Sequence, residues 1–233
     1  MLDLSWLRLS LYCGYMDAQG EVYKRVLEEL GKAIEKSTSL ANELETDQKL
    51  LPQQKDYIDY IIDDECLFVE YLLCTAFVLC QAYIVNVVST VEKIHVRAKQ
   101  SLGRDLKTIP VCNEKSKERR KKILQFGQTL AFSYEGDYFS AIQLINAFAN
   151  YFKHRDEWDV NWEELEGTQK DTAKLIQSVG AKFGCSGNLR QGSSALGNPE
   201  FTNTLIFFEK LQQWHIDLAS AYDKELSSYD SVF

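Results

Sequence analysis

From Gln53 to Gln100 the chain runs without a proline or a glycine, and within that run Tyr71 to Val91 carries no formal charge. A stretch this long with no breaker and many apolar residues dictates helix. Its uncharged part is long enough to cross a bilayer. Gln81 and Asn86 interrupt it, however, Glu70 and Glu92 flank it, and neither flank shows the Lys/Arg bias that sets membrane topology. A buried central helix of a soluble bundle accounts for the same composition without a membrane. The run is too long for one unbroken helix in a compact domain, so the acidic cluster Asp63-Asp64-Glu65 is the expected new start or bend.

The remaining sequence points the same way. With three prolines in 233 residues and abundant Leu, Ala, Glu, Lys and Gln, the expected fold class is all-α, a helical bundle with N- and C-terminal helical extensions. Three regions are expected: an N-terminal segment and helix over 1–50, the bundle over 51–160, and C-terminal helices over 161–233 on the same domain. Leu2, Leu4, Trp6, Leu7, Leu9 and Leu11 are expected to pack onto the body from a segment of undecided type that Gly20 ends. Residues 21–46 form an amphipathic helix with Val22, Val26, Leu27, Leu30, Ile34 and Leu40 on its apolar side, and Gly31 weakens its continuity. Pro52 suits the first turn of the next helix.

Pro110 and Gly103 mark a loop before a helix over about 114–130. Glu135-Gly136-Asp137 reads as a turn, with Asp137 the N-cap of the helix that follows. Trp162 packs back on the bundle, and Thr168 to Asp171 resembles a capping box opening a helix that continues to about Val179. Residues 184–200, rich in Gly, Ser and Asn, read as a mobile loop. A last helix over about 203–226 buries Ile206, Phe207, Leu211, Trp214, Leu218 and Tyr222, and His215 and His95 read as structural.

The formal net charge is −8, which disfavours non-specific coating of nucleic acid by the whole surface. One segment reverses the sign. Between Leu102 and Lys122, eight Lys/Arg (Arg104, Lys107, Lys115, Lys117, Arg119, Arg120, Lys121, Lys122) stand against Asp105, Glu114 and Glu118. Such a cluster is either a solvated helix start or a contact for an RNA backbone, with no interleaved aromatics to stack bases. Cys13, Cys66, Cys74, Cys80, Cys112 and Cys185 form no CxxC pair and alternate with no histidines, so no zinc site is expected, and most read as buried thiols of a reducing cytosol. The opening MLDLSWLRLSLYCGYMD starts with an acid and is a poor signal peptide. A cytoplasmic protein with no cofactor and no membrane contact is expected.

Chemistry concentrates in one place, DYFSAIQLINAFANYFKHRDEW over 137–158. On a helix, Ala141, Leu144, Ile145, Phe148 and Phe152 share an apolar face, opposite a polar stripe of Gln143, Asn146, Asn150, Lys153, His154 and Glu157. Asn150 and His154 are one turn apart, with Lys153 beside them and Arg155 just beyond. The stripe is either a solvated helix face or a site. No glycine-rich phosphate loop, nucleophile elbow or HExxH string occurs, and His154, Asp156 and Glu157 do not share one helical face as metal ligands would.

Ala149-Asn150-Tyr151-Phe152-Lys153-His154 resembles the signature helix of HEPN domains, all-helical modules of prokaryotic toxins, abortive-infection proteins and CRISPR-associated ribonucleases. Their motif is an Arg, usually followed at once by a polar residue such as Asn, then a His four to six positions after the Arg. Asn150 and His154 match, and Ala149 stands where the Arg would be. The resemblance covers about residues 55–160. It implies a metal-independent ribonuclease, or an inactive variant, in a bacterial defence or toxin–antitoxin setting, with His154 taking the 2′-hydroxyl proton, Asn150 beside it and position 149 supplying charge at the phosphate. Lys153, Arg155, Arg119, Arg120, Lys121 and Lys122 are then the candidate RNA contacts. The resemblance further implies a homodimer with His154 near its two-fold axis, and a cognate antitoxin or regulatory partner. The vacant Arg position fits either a divergent, inactive member or an Arg replaced by Ala to tame a toxic nuclease. From a different class, a non-catalytic helical interaction or scaffold protein fits as well.

Overall fold

The computed structural model describes residues 5–12, 18–46, 52–108, 116–158 and 161–230. Leu2, Leu4, Cys13, Pro110, Cys112, Glu114 and Lys115, all given roles above, lie outside the described residues, as do the side chains of Trp6, Lys117 and Asp156. The described chain is predominantly α-helical. Its helices are α1 (Ser5–Tyr12), α2 (Ala18–Thr46), α3 (Pro52–Leu102), α4 (Ser116–Gln125), α5 (Ala141–His154), α6 (Gly167–Gln177), α7 (Asn188–Ala195) and α8 (Leu205–Asp230). Two short strands, β1 (Phe132–Tyr134) and β2 (Asp137–Phe139), form an antiparallel hairpin before α5.

The breaker-free run is one continuous helix of 51 residues. The expected restart at Asp63 does not occur: α2 packs along α3, and the Ser37 hydroxyl of α2 donates to the Glu65 carboxylate within the acidic cluster. By length and composition α3 could cross a membrane, yet 56% of its most apolar window is buried within the fold. Neighbours cover it on several sides: α2, α5, α8, α7 and α1 all touch it.

Phe77 of α3 is the point where three helices meet. It stacks on Phe148 of α5 at 5.3 Å and on Phe207 of α8 at 4.9 Å between ring centroids, and all three rings are fully buried. Such offset aromatic pairs add to the hydrophobic term. From α8, Leu211, Trp214, Leu218 and Tyr222 are buried as the periodicity predicts, and the Trp214 indole N–H donates to the Ile123 carbonyl at 2.9 Å.

Several expectations change. In α1, Leu7 and Leu11 are buried, but Leu9 points out. In α2, Val22, Val26 and Leu40 are exposed, and the buried strip runs instead through Gly20, Leu27, Gly31, Ile34 and Ser37. Gly31 does not weaken α2; it lets α2 approach the chain before α8, where an added Cβ would stand 2.3 Å from the Thr202 carbonyl oxygen. Glu135 and Gly136, both at positive φ, make the two-residue hairpin turn, so Asp137 is a strand residue and the cap of α5 is Ser140. The capping box expected at Thr168 is absent: α6 starts at Gly167 after Glu166, which makes no side-chain cap bond. Trp162 is buried as expected, edge-on to Tyr151 at 5.7 Å.

The stretch 184–200, expected to be a mobile loop, contains α7. Leu189, Ser193, Leu196 and Asn198 are buried, and Gly192 lies so close to α5 that an added Cβ would meet the Phe148 ring at 2.3 Å. The glycines that read as flexibility are there for close approach and for turns at positive φ.

A candidate nucleic-acid groove along helix α5

Helix α5 begins with a reciprocal cap. The Ser140 hydroxyl accepts from the Gln143 backbone N–H at 3.2 Å and donates to the Leu124 carbonyl at 2.9 Å, while the Gln143 side-chain oxygen accepts from the Ser140 N–H at 3.0 Å. The start of α5 is thereby tied to the end of α4.

One turn on, the polar stripe meets Gln81 of α3, which is only 4% exposed. The Gln81 amide nitrogen donates to the side-chain oxygen of Asn150 at 2.6 Å and to that of Asn146 at 3.0 Å. Its oxygen accepts from the Lys153 ammonium at 2.5 Å. Both ends of a buried amide are therefore satisfied. Asn150 and Lys153 help lock α5 to α3, a role that the helical wheel alone does not reveal. A lone Gln in an uncharged run was the available signal, since a buried amide needs partners.

His154 stands apart from that network. Its ring is half exposed, and Nδ1 lies 3.1 Å from the Glu157 carboxylate. With Nδ1–H donated to Glu157, Nε2 is left as the acceptor. Arg155 turns the other way: its Nη2 donates to the Tyr71 hydroxyl at 3.0 Å, and the guanidinium lies 4.5 Å from the centroid of the Phe152 ring. Ala149 is 0% exposed and belongs to the apolar core. It lies off the polar stripe, on the side of α5 that packs.

The basic cluster of α4 divides. Arg120 and Lys121 line a groove of about 510 Å³ between α4, α5 and α6, together with Asn146, Asn150, Thr172 and Lys174. The carboxylates of Glu118, Asp137 and Asp171 also line it, and Lys174 pairs with Glu135 at 3.0 Å. His154 is one helical turn beyond Asn150 on the same strip of α5. Arg119 faces the opposite way, toward His95 and Tyr222, where its charge opposes protonation of His95. Its Nε is buried with no hydrogen-bond partner among the described residues. Lys122 is exposed and outside the groove.

The other two histidines are structural pins. His95 Nε2 lies 2.6 Å from the Tyr222 hydroxyl; His215 Nδ1 is 2.7 Å from the Tyr83 hydroxyl, and its Nε2 is 2.7 Å from the Leu11 carbonyl. Burial pushes the pKa of His95 down to about 4 and lowers that of His215 as well. Among the described residues no group of three or more His, Cys, Asp or Glu could hold a metal.

No protein-family model matches the sequence, and no curated protein or solved structure is significantly similar to it.

Proposed function

We propose that the chain is a HEPN-like module that holds RNA in the α4–α5–α6 groove without cutting it. Arg120 and Lys121 supply phosphate-neutralising charge on one wall, and Asn146 and Asn150 offer amide groups along the floor. His154 with Glu157 follows one turn on, in the geometry of an oriented imidazole. The observation that carries the non-cleaving part is Ala149 at 0% exposure. A guanidinium at that position would stand in the apolar core, so the family's charge at the scissile phosphate has no place to come from on α5. Lys153 and Arg155 do not replace it, being engaged by Gln81 and by Tyr71 and Phe152.

In this reading two copies pair across α5, the setting is a bacterial cytoplasm, and a cognate regulatory protein governs access to the groove. RNA binding is the test. A labelled single-stranded RNA should bind the wild-type chain and emerge uncut. Arg120→Glu/Lys121→Glu should weaken binding at least tenfold and flatten its salt dependence, with the helical circular dichroism unchanged. His154-dependent cleavage would make the chain a nuclease, and affinity unchanged by the charge reversal would remove the groove from the reading.

A further inference from the structure

The first half of α3 presents a face that the other described residues leave exposed. Tyr57, Tyr60, Leu67, Phe68 and Tyr71 are between 43% and 68% exposed. At about 100° per residue they fall within an arc of about 100°, and from Tyr57 to Tyr71 the stripe is about 21 Å long. Asp64 sits within it, and Asp56, Asp59 and Asp63 line one edge, all exposed. Lys55 is the only cation between Gln54 and Thr75. A row of exposed apolar side chains with one sign of charge within and beside it marks an interaction site rather than a solvated face.

The charge decides among occupants. Four carboxylates repel a phosphate backbone, so the tyrosines are not a base-stacking platform. A second copy meeting this face symmetrically would set acid against acid. The basic helix α4 of a second copy brings charge without anchors, because its apolar residues Ile123 and Leu124 are buried in its own core. What fits is a helix with apolar anchors at i, i+3/i+4 and i+7 and with Lys or Arg along its flank. The chain already shows how a cation sits here: Arg155 donates to the Tyr71 hydroxyl, with its guanidinium 5.3 Å from the ring centroid.

We propose that the Tyr57–Tyr71 stripe of α3 docks the apolar face of a basic amphipathic helix from another protein. The site is independent of the RNA groove on α5.

The experiment uses the full chain and a fluorescent amphipathic Leu/Lys peptide of about 18 residues, long enough to span the stripe. The same peptide with Glu for Lys serves as the first control. Anisotropy should show the Leu/Lys peptide binding at least tenfold more tightly than the Leu/Glu peptide. Tyr60→Ser/Phe68→Ser should weaken it at least tenfold, and neutralising Asp56, Asp59, Asp63 and Asp64 to Asn should weaken it about tenfold and remove most of its salt dependence. Neutralising Glu163 and Glu164 to Gln, exposed residues outside the stripe, should leave it unchanged. Circular dichroism confirms that each variant is folded. The proposal is overturned by equal binding of both peptides, by no binding of either, or by binding that survives both stripe variants. Two other occupants would also overturn it: phosphatidylcholine vesicles captured through the same tyrosines, or a dimer in sedimentation that Tyr60→Ser/Phe68→Ser abolishes.

Discussion

The carboxylate of Glu70 closes over the start of α7, accepting from Arg190 Nε at 2.9 Å and from the backbone N–H groups of Leu189 and Arg190 at 3.1 and 3.2 Å. Gly187, at the cap position, has no side chain to do this. An acid from the middle of α3 therefore caps a helix through Leu189, 119 residues later in the chain. Glu70 is only 8% exposed, so removing it leaves two backbone donors and a guanidinium short of a partner. Glu70→Ala is expected to destabilise the chain by about 2–4 kcal/mol, seen as a lower urea midpoint and faster hydrogen exchange at the amides of 189 and 190. Glu70→Gln should cost less. An unchanged midpoint in Glu70→Ala would mean that α7 does not depend on this contact.

Gly192 and Phe148 make the second test of that region. A methyl at 192 would enter the space of a fully buried ring, and overpacking of this kind costs about 1–3 kcal/mol. Gly192→Ala should lower the melting temperature, and Phe148→Leu in the same chain should recover part of the loss. The recovery is a coupling energy between touching residues, and its absence would place the two side chains apart.

Much of this architecture is legible in the sequence because apolar periodicity reports burial directly. Leu211, Trp214, Leu218 and Tyr222 in α8, and Leu144, Ile145 and Phe148 in α5, are core residues in both readings. What the sequence hides are relationships between distant residues. Gly31 looks like a helix weakener and Gly192 like part of a mobile loop because nothing local says that Thr202 or Phe148 is adjacent. Gln81 reads as an interruption until Asn146, Asn150 and Lys153 are brought to it. Ala149 reads as an empty motif position until its burial shows it to be a packing residue. The basic stretch before α5 reads as one patch, but a helix splits it, sending Arg120 and Lys121 to the groove and Arg119 toward His95.

Acid should loosen the α8 pins. Burial, and then the neighbouring charge of Arg119, hold the His95 pKa down at about 4, and burial lowers that of His215. An unfolded chain takes up these protons near pH 6.5. Between that value and about pH 4 the unfolded state therefore binds more protons than the folded one, and stability falls as the pH drops. Above about pH 6.5 both histidines are neutral in either state and the contribution is fully present. Urea midpoints measured from pH 7.5 to 4.5 should decline through this window, and His95→Gln should flatten part of the slope. A midpoint independent of pH over that range would show that neither ring is buried as a neutral group.

The described cysteines should differ in reactivity in a fixed order. Cys185 is exposed, whereas Cys74 and Cys80 are buried; desolvation pushes the Cys74 thiol up to about 12 and raises that of Cys80 further. Since the thiolate is the nucleophile, a brief iodoacetamide pulse on the native chain, mapped by peptide mass, should label Cys185 first. Cys74 and Cys80 should label only in denaturant. Equal labelling of Cys80 and Cys185 in the native state would contradict the packing of α3.

Position 149 gives the sharpest division between binding and cutting. If its alanine were a vacant catalytic place, Ala149→Arg would restore a nuclease, and its toxicity would vanish with His154→Ala. Because Ala149 is fully buried among apolar side chains, an arginine there must either bury an unpaired charge or force α5 off the bundle, at a cost of several kcal/mol. The expected result is a chain with low soluble yield, a reduced urea midpoint and no RNA cleavage. Asn150→Ala removes the Gln81 acceptor at the α3–α5 contact and should cost about 1 kcal/mol, which sets the scale of an ordinary packing defect on α5 against which the larger loss in Ala149→Arg is read. An Ala149→Arg protein that is as stable as wild type and cleaves RNA only while His154 is present would show that α5 can turn this position outward, and the non-cleaving reading would fall with it.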